Sequence, residues 1–131
     1  MRILIIDAEP RRPRQLRSIL SCLGQRLTNV LNAQDLRAAS GLLIKRPFDC
    51  VFMHIELSDG GTFEAVHIVR NKVLPSTKVC VYGPTPTRQH VLEARTAGAS
   101  SFLVYPFTTG DIEKAIYPMR NQLNAGRAVT T

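Results

Sequence analysis

The chain has 131 residues, 44% of them hydrophobic, and 17 basic against 10 acidic side chains give a formal net charge of +7. This length accommodates one domain with a single hydrophobic core and leaves no room for a second. No apolar run approaches the roughly 18 residues of a membrane span, and the apolar stretch near Met1 is too short for a signal peptide, so we expect a soluble, cytoplasmic protein without membrane contact.

Short apolar runs alternate along the chain with segments of helical periodicity, a pattern typical of a parallel sheet covered on both faces. The predicted strands are Arg2 to Ile6, about Leu27 to Leu31, Cys50 to His54, Val79 to Tyr82 and Ser101 to Val104. Apolar residues at helical spacing predict five helices. The first three stripes are Leu16, Ile19, Leu20 and Leu23; Leu36, Ala39 and Leu43; and Phe63, Val66, Val69 and Val73. The fourth starts with Val91 and Ala94, and the fifth has Ile112, Ile116 and Leu123.

Helix-boundary signals agree with this order of elements. Pro13 suits the first turn of a helix, and Thr108-x-x-Asp111 predicts a capping box. Pro118 falls within the last predicted helix, so we expect a kink or break near Tyr117. The predicted domain covers residues 1–123, and residues 124–131 are expected to form a flexible tail or the start of a linker.

The cysteines indicate a reducing compartment. Cys22, Cys50 and Cys80 are odd in number, widely spaced and set in apolar patterns. We expect them to be small buried thiols, and their spacing indicates neither a zinc site nor a disulfide framework.

One polar side chain ends a predicted apolar strand. The strand from Cys50 delivers His54 to its carboxyl end, where open α/β sheets place their ligands and their chemistry. Gly60 and Gly61 follow in the connecting loop, without the lysine and hydroxyl residue of a P-loop.

Two further motifs resemble the receiver domain of response regulators. Ile3-Leu4-Ile5-Ile6-Asp7-Ala8-Glu9-Pro10 is similar to the family's first strand and acidic turn, and Gly98-Ala99-Ser100-Ser101-Phe102-Leu103-Val104-Tyr105-Pro106-Phe107 to its fifth strand and cis-proline loop. The resemblance covers about residues 1–123. It implies a flavodoxin-like (βα)5 fold, a doubly wound parallel sheet with strand order 2-1-3-4-5.

The resemblance also shows what the phosphoacceptor pocket lacks. In this family a divalent metal held by acidic residues, an aspartate, a hydroxyl residue and a lysine together transfer and hold a phosphoryl group. The matching positions in this chain are Asp7, Ala8, Glu9, His54, Gly83 and Tyr105. Alanine replaces the more direct metal ligand, His54 the phosphoacceptor, Gly83 the hydroxyl residue and Tyr105 the lysine. We therefore expect no catalysis, no metal and no cofactor.

A non-catalytic pseudo-receiver follows from this interpretation. Without a side chain at Gly83, the family's coupling to the switch aromatic, Phe102, loses its first step. We expect a module that binds another signalling protein, such as a kinase, an output domain or a regulator, independently of phosphorylation, in a signal-transduction or transcription-regulating pathway. The candidate interaction face, which would also serve a homodimer, spans the fourth helix to the fifth helix and carries Arg88, His90, Arg95, Asp111 and Lys114.

Several alternatives remain open from the sequence. His54 could itself carry phosphate, it could bind a transition metal together with Asp7 and Glu9, or a small ligand could occupy the crevice. The simplest expectation is a hydrogen-bonded histidine paired with Asp7 or Glu9. A basic first-helix face, formed by Arg11, Arg14 and Arg17, could attract nucleic acid, although no aromatic residues interleave with the arginines for base stacking.

Overall fold

The computed structural model describes residues 1–57, 62–84 and 87–117. Gly60, Gly61, Pro118, Leu123 and the predicted tail 124–131 lie outside these ranges. The elements are β1 (Ile3–Ile6), α1 (Arg11–Cys22), β2 (Val30–Ala33), α2 (Leu36–Lys45), β3 (Cys50–His54), α3 (Thr62–Lys72), β4 (Lys78–Gly83), α4 (Arg88–Ala97), β5 (Ser101–Val104) and α5 (Thr109–Ile116). None of the helices in the described ranges is long and apolar enough to cross a bilayer.

All five strands are parallel, in the order β2-β1-β3-β4-β5, which confirms the predicted flavodoxin-like fold. Ile6 of β1 pairs with Met53 of β3, so Asp7 and His54, the next residue of each chain segment, lie level at the carboxyl edge. His54 in turn pairs with Tyr82 of β4. The register thus brings an acidic, an imidazole and a phenol side chain to one edge of the sheet.

The sheet separates two apolar layers. Leu4, Ile6, Val51 and Met53 face α2, α3 and α4, whereas the alternate residues of the same strands face α1 and α5. Because both faces are covered, β1 and β3 are buried at every position. Continuous burial explains why these strands are near-continuous apolar runs in the sequence.

The second strand begins later than predicted. Leu27–Asn29 forms a 3₁₀ turn, Leu27 is 41% exposed, and β2 starts at Val30, which pairs with Ile3 of β1. A strand can begin only where a neighbour is available to pair with it, and β1 begins at Ile3. The start predicted at Leu27 was therefore wrong.

Helix ends follow the predicted signals. Thr108 Oγ1 accepts a hydrogen bond from the Asp111 N–H at 3.1 Å, and Pro13 lies in the first turn of α1. α5 ends at Ile116, beside the break predicted near Tyr117.

Two of the three cysteines are buried thiols. Cys50 and Cys80 lie on neighbouring strands with their Sγ atoms 4.0 Å apart. Cys22, the last residue of α1, is exposed, so the expectation that it would be buried was wrong.

Gly98 joins α4 to β5 in a conformation that side chains disfavour. Its φ is +114°, and a Cβ there would lie 2.8 Å from Cγ of Arg70. That arginine is held in place, since its Nε donates to Gly98 O at 3.2 Å and its Nη2 to Thr77 O at 2.7 Å. α3 is thereby tied to the loops that precede β4 and β5.

We expect Gly98→Ala to lower the free energy of unfolding by about 2 kcal/mol, because it combines left-handed backbone strain with displacement of Arg70. Gly41→Ala is the matched control. Gly41 lies within α2 with open space around it, and alanine there should stabilise the protein by about 0.5–1 kcal/mol. Urea denaturation of both variants tests the pair, and equal effects would contradict the prediction.

Candidate functional site

Asp7, at the end of β1, is buried and hydrogen-bonded on every side. Its side chain is 1% exposed. Arg12 donates two hydrogen bonds to it, from Nε to Oδ2 at 2.7 Å and from Nη2 to Oδ1 at 2.8 Å. The Glu9 N–H donates to Oδ1 at 2.9 Å and the Tyr82 hydroxyl to Oδ2 at 2.6 Å. Each carboxylate oxygen accepts two hydrogen bonds, which leaves little capacity for a metal ion.

Local structure accounts for these donors. The chain turns directly from β1 into α1, so Arg12 in the first helical turn lies close enough to reach back to Asp7. Tyr82 lies two strands away on β4, and its long side chain crosses β3 to reach the same carboxylate. We refer to Asp7, Arg12 and Tyr82 as the carboxylate cluster.

The carboxylate cluster changes the acidity of its members. Burial alone would raise the pKa of the Asp7 carboxyl, but hydrogen bonds from Arg12, Tyr82 and the Glu9 N–H outweigh burial, and the pKa lies below its usual value near 3.8. Burial, together with the hydrogen bond to Asp7, raises the pKa of the Tyr82 hydroxyl well above its usual range. Asp7 is thus a carboxylate neutralised by a guanidinium, and Tyr82 stays a donor.

His54 lies beside the carboxylate cluster but does not join it. The imidazole is 6% exposed, and its Nδ1 contacts the Glu56 main chain, with the N–H at 3.1 Å and the carbonyl oxygen at 3.0 Å. Nε2 is buried without a hydrogen-bond partner among the described residues. The predicted pairing with Asp7 or Glu9 was wrong for two reasons. The turn after β3 occupies Nδ1 of His54, and Arg12 and Tyr82 already supply the hydrogen bonds that Asp7 accepts.

Aromatic rings fill the remaining space at this edge of the sheet. Successive edge-to-face contacts join His54 to Tyr82 (5.5 Å), Tyr82 to Phe107 (5.0 Å) and Phe107 to Tyr105 (5.3 Å). Tyr105, expected at the position of the family's lysine, is half-buried and packs on Phe107. The Tyr105–Pro106 peptide bond is cis, as the resemblance implied.

Gly83 is buried against Ile55. A Cβ at Gly83 would lie 2.8 Å from Cγ2 of Ile55 and 3.4 Å from its Cβ. Since Cγ2 is held close to the backbone by branching at Cβ, it cannot swing aside as the end of a long side chain would. Ile55 therefore takes up the space that a hydroxyl side chain at this position would need.

The acidic turn does not fit a divalent metal. Ala8 is exposed and offers no side-chain ligand, and Glu9 Oε1 accepts the Arg11 N–H at 3.2 Å, at the start of α1. In the described ranges, no group of three or more histidine, cysteine, aspartate or glutamate side chains is placed to hold a metal ion. The alternative of metal capture by Asp7, Glu9 and His54 is not supported.

The candidate interaction face is solvent-accessible at most of its predicted positions. Arg88 and Arg95 on α4 and Asp111 and Lys114 on α5 are exposed, whereas His90 is half-buried. Phe102, the expected switch aromatic, is half-buried and packs against the core layer beneath α4.

The basic face of α1 is partly engaged in the fold. Arg11 and Arg14 are exposed, but Arg17 is half-buried and its Nη1 donates to the Val30 carbonyl at 2.7 Å. One of the three predicted arginines therefore anchors the start of β2.

Residues 3–117 match the response regulator receiver domain. The chain belongs to this family. The receiver domain is 28% identical over 116 residues to the response regulator protein PilR of Pseudomonas aeruginosa, covering 86% of this chain and 24% of PilR. It thus spans about a quarter of that relative's length.

Solved structures share the receiver fold. A two-component response regulator from Clostridium difficile superposes with a TM-score of 0.81 at 22% identity, over 95% of this chain and 98% of the other. The beryllofluoride-activated NtrC4 receiver domain dimer superposes with a TM-score of 0.77 at 23% identity, over 88% of this chain and 92% of the other. Chemotaxis protein CheY4 of Vibrio cholerae superposes with a TM-score of 0.75 at 23% identity, over 86% of this chain and 92% of the other.

The sequence pattern did not predict two central members of this site, Arg12 and Tyr82. Arg12 was one of six arginines in the first 26 residues, and Tyr82 closed an apolar strand. The available signal was an acidic residue at the end of an apolar strand with an arginine in the first turn of the following helix, since a buried charge needs a partner.

We expect acid to remove a contribution of Asp7 to stability. Because its pKa is lower in the folded than in the unfolded state, this contribution is complete above about pH 5 and is lost as the pH falls through the folded value. Urea denaturation at a series of pH values should show a steeper acid loss for the wild type than for Asp7→Asn. Glu113→Gln, at an exposed position, is the control and should keep the wild-type slope.

We expect Arg12→Met to destabilise the fold by about 3 kcal/mol, because it leaves a buried carboxylate without its cation. Tyr82→Phe should cost about 2 kcal/mol, the value of a hydrogen bond to a charged group. Arg14→Met, an exposed change on the same helix, should stay within about 0.5 kcal/mol. Chemical denaturation measures all three, and an Arg12→Met protein as stable as Arg14→Met would contradict this account of the carboxylate cluster.

Proposed function

We propose that the protein is a pseudo-receiver: a non-catalytic cytoplasmic signalling domain, residues 1–123, that acts by binding another protein independently of phosphorylation. The observation that carries this proposal is the saturation of Asp7 by Arg12 and Tyr82. The acidic group that would help to hold a metal is already neutralised from within the chain.

A transferred phosphoryl group would meet no suitable partner here. It adds about two negative charges at neutral pH, which must be met by cations and donors. Arg12 is already committed to Asp7, and Tyr105 supplies no fixed ammonium at the family's lysine position. Phosphorylation would therefore place uncompensated charge against a buried edge.

His54 is a poor nucleophile in this position. A phosphoryl donor must approach a ring nitrogen, but Nδ1 faces the Glu56 main chain and Nε2 is buried. These observations argue against the alternative of a receiver phosphorylated at His54.

This chain also lacks the hydroxyl residue whose movement switches a receiver. A hydroxyl residue that follows the phosphate is replaced by Gly83, and Ile55 fills the space next to it. Phe102 then has no neighbour to report a chemical change, so we infer that the domain stays near one state and responds to binding instead.

The face from α4 to α5 supports a protein partner. Besides its charged residues it exposes Leu92 (52%) and Val104 (47%), and apolar side chains ringed by charge are typical of interaction surfaces. The candidate partners are a kinase, an output domain, a regulator or a second copy of the chain. The NtrC4 receiver, a structural neighbour, is described as a dimer.

Nucleic-acid binding through α1 is the weaker alternative. Arg17 is committed to Val30, and the two exposed arginines, Arg11 and Arg14, have no aromatic neighbour on α1 for base stacking.

We expect incubation with magnesium and a small acyl-phosphate donor to leave the mass of the protein unchanged. Intact-mass spectrometry at neutral pH, which preserves phosphohistidine, provides the measurement, and a phosphorylatable receiver treated in parallel is the positive control. A phosphoryl adduct on His54 that is absent from His54→Gln would refute the proposal.

His54→Asp alone should not restore phosphorylation, nor should its combination with Ala8→Asp, Gly83→Thr and Tyr105→Lys. The threonine would collide with Ile55, and Arg12 would still occupy Asp7. We expect phosphate uptake only when Ile55→Ala, Arg12→Ala and Tyr82→Ala are added to that set. Uptake by the single variant, measured in the same assay, would show that the pocket is intact.

A further inference from the structure

A concave surface lies at the opposite edge of the sheet from the carboxylate cluster. It is a groove of about 340 Å³ between the end of α2 with its following loop, residues 43–48, and the end of α3 with its following loop, residues 71–74. We call it the amino-edge groove, because it opens where the strands begin.

Apolar side chains form the floor and walls of the amino-edge groove. Leu43 and Phe48 are buried beneath it, and Val73 is half-buried. Ile44 is 77% exposed and Leu74 57% exposed, the two highest values among the large hydrophobic residues described. Each leaves a large apolar area in water, which binding would remove.

The rim of the groove is cationic. Lys45, Arg46 and Lys72 line it, all three are exposed, and none forms an ion pair with a described carboxylate. A smaller cavity of about 70 Å³ shares Arg46 and Phe48 with the groove and adds Arg2 to the basic surface.

Acidic residues are scarce at this edge. The loops 23–29, 46–49, 73–77 and 98–100 contain one carboxylate, Asp49, whose Oδ2 accepts the Arg2 N–H at 2.6 Å. Cations at the ends of α2 and α3 complement the helix dipoles, which accounts for Lys45 and Lys72 in an ordinary fold. That account does not explain Ile44 and Leu74, which stand exposed beside them.

We propose that the amino-edge groove binds an acidic segment of a partner protein that carries bulky aliphatic side chains. The cationic rim complements carboxylates, and the exposed aliphatic walls complement leucine-like side chains. A concave site of this size accepts protruding side chains, whereas a flat membrane would contact only its rim. None of the described residues lining it is aromatic except the buried Phe48, so bases would find no stacking surface.

This surface is separate from the face between α4 and α5 and does not depend on it. A domain with docking surfaces on different sides could hold two proteins at once, which suits a module without chemistry of its own.

Fluorescence polarisation with the full chain tests the proposal. The probe is a short labelled peptide in which leucines repeat at helical spacing among glutamates. Two control peptides replace either the leucines by serine or the glutamates by lysine. We expect saturable binding of the first peptide alone, weakening with added salt because the cations are exposed.

Variants locate the binding site. Ile44→Ser and Leu74→Ser should each weaken binding about tenfold, and Lys45→Gln with Lys72→Gln should weaken it and flatten its salt dependence. Phe63→Ser on α3 and Arg26→Gln before β2, at exposed positions outside the groove lining, are the matched controls and should bind as the wild type does. All substituted positions are exposed, and circular dichroism confirms that the variants fold.

Several outcomes would overturn the proposal. The first is failure of the acidic leucine peptide to bind, and the second is equal binding of the serine peptide. The third is loss of binding in Phe63→Ser or Arg26→Gln but not in Ile44→Ser. The proposal would also be overturned if phosphatidylserine vesicles or single-stranded DNA bind through Ile44 and Lys72 while the peptide does not bind.

Discussion

The rest of the structure depends on how the chain satisfies one buried charge. Asp7 directly follows the buried strand β1 with almost no exposure, and an ionised carboxylate in such a place must be paired and fully hydrogen-bonded. Arg12 meets that requirement from α1, the helix that directly follows β1, and Tyr82 meets it from β4, two strands away in the sheet. The same contacts that stabilise the carboxyl edge also remove the excess negative charge that would attract a metal ion.

Neighbouring positions are consistent with this arrangement. The Tyr82 ring that reaches Asp7 also packs against His54 and Phe107, and Phe107 packs against Tyr105, so aromatic contacts occupy an edge where receivers carry out phosphoryl transfer. Ile55 and Gly83 fit each other in the same way, because the glycine leaves the space that the isoleucine fills. Reversing a single residue leaves the other packing partners in place, so these substitutions depend on one another.

Two surfaces of the described structure are candidates for binding. One face, from α4 to α5, combines exposed charge with Leu92 and Val104, and the amino-edge groove combines exposed cations with Ile44 and Leu74. Both are formed by helix ends, helices and an edge strand of the described fold. Under the proposed function, the receiver fold would serve as a support for binding.

The sequence by itself determined the fold class, the strand order implied by the family resemblance, and the bounds of β3 and β5. For β3 the reason is burial, because a strand buried on both faces must be apolar almost throughout. It also located His54 at the carboxyl edge. The start of β2 could not be read from Leu27, since pairing with β1 decides it. Only the tertiary structure decided that Arg12 and Tyr82 bind Asp7, that His54 turns to Glu56, and that Ile55 fills the space beside Gly83. These contacts depend on the direction of side chains across strands and turns, and no spacing along the chain specifies that direction.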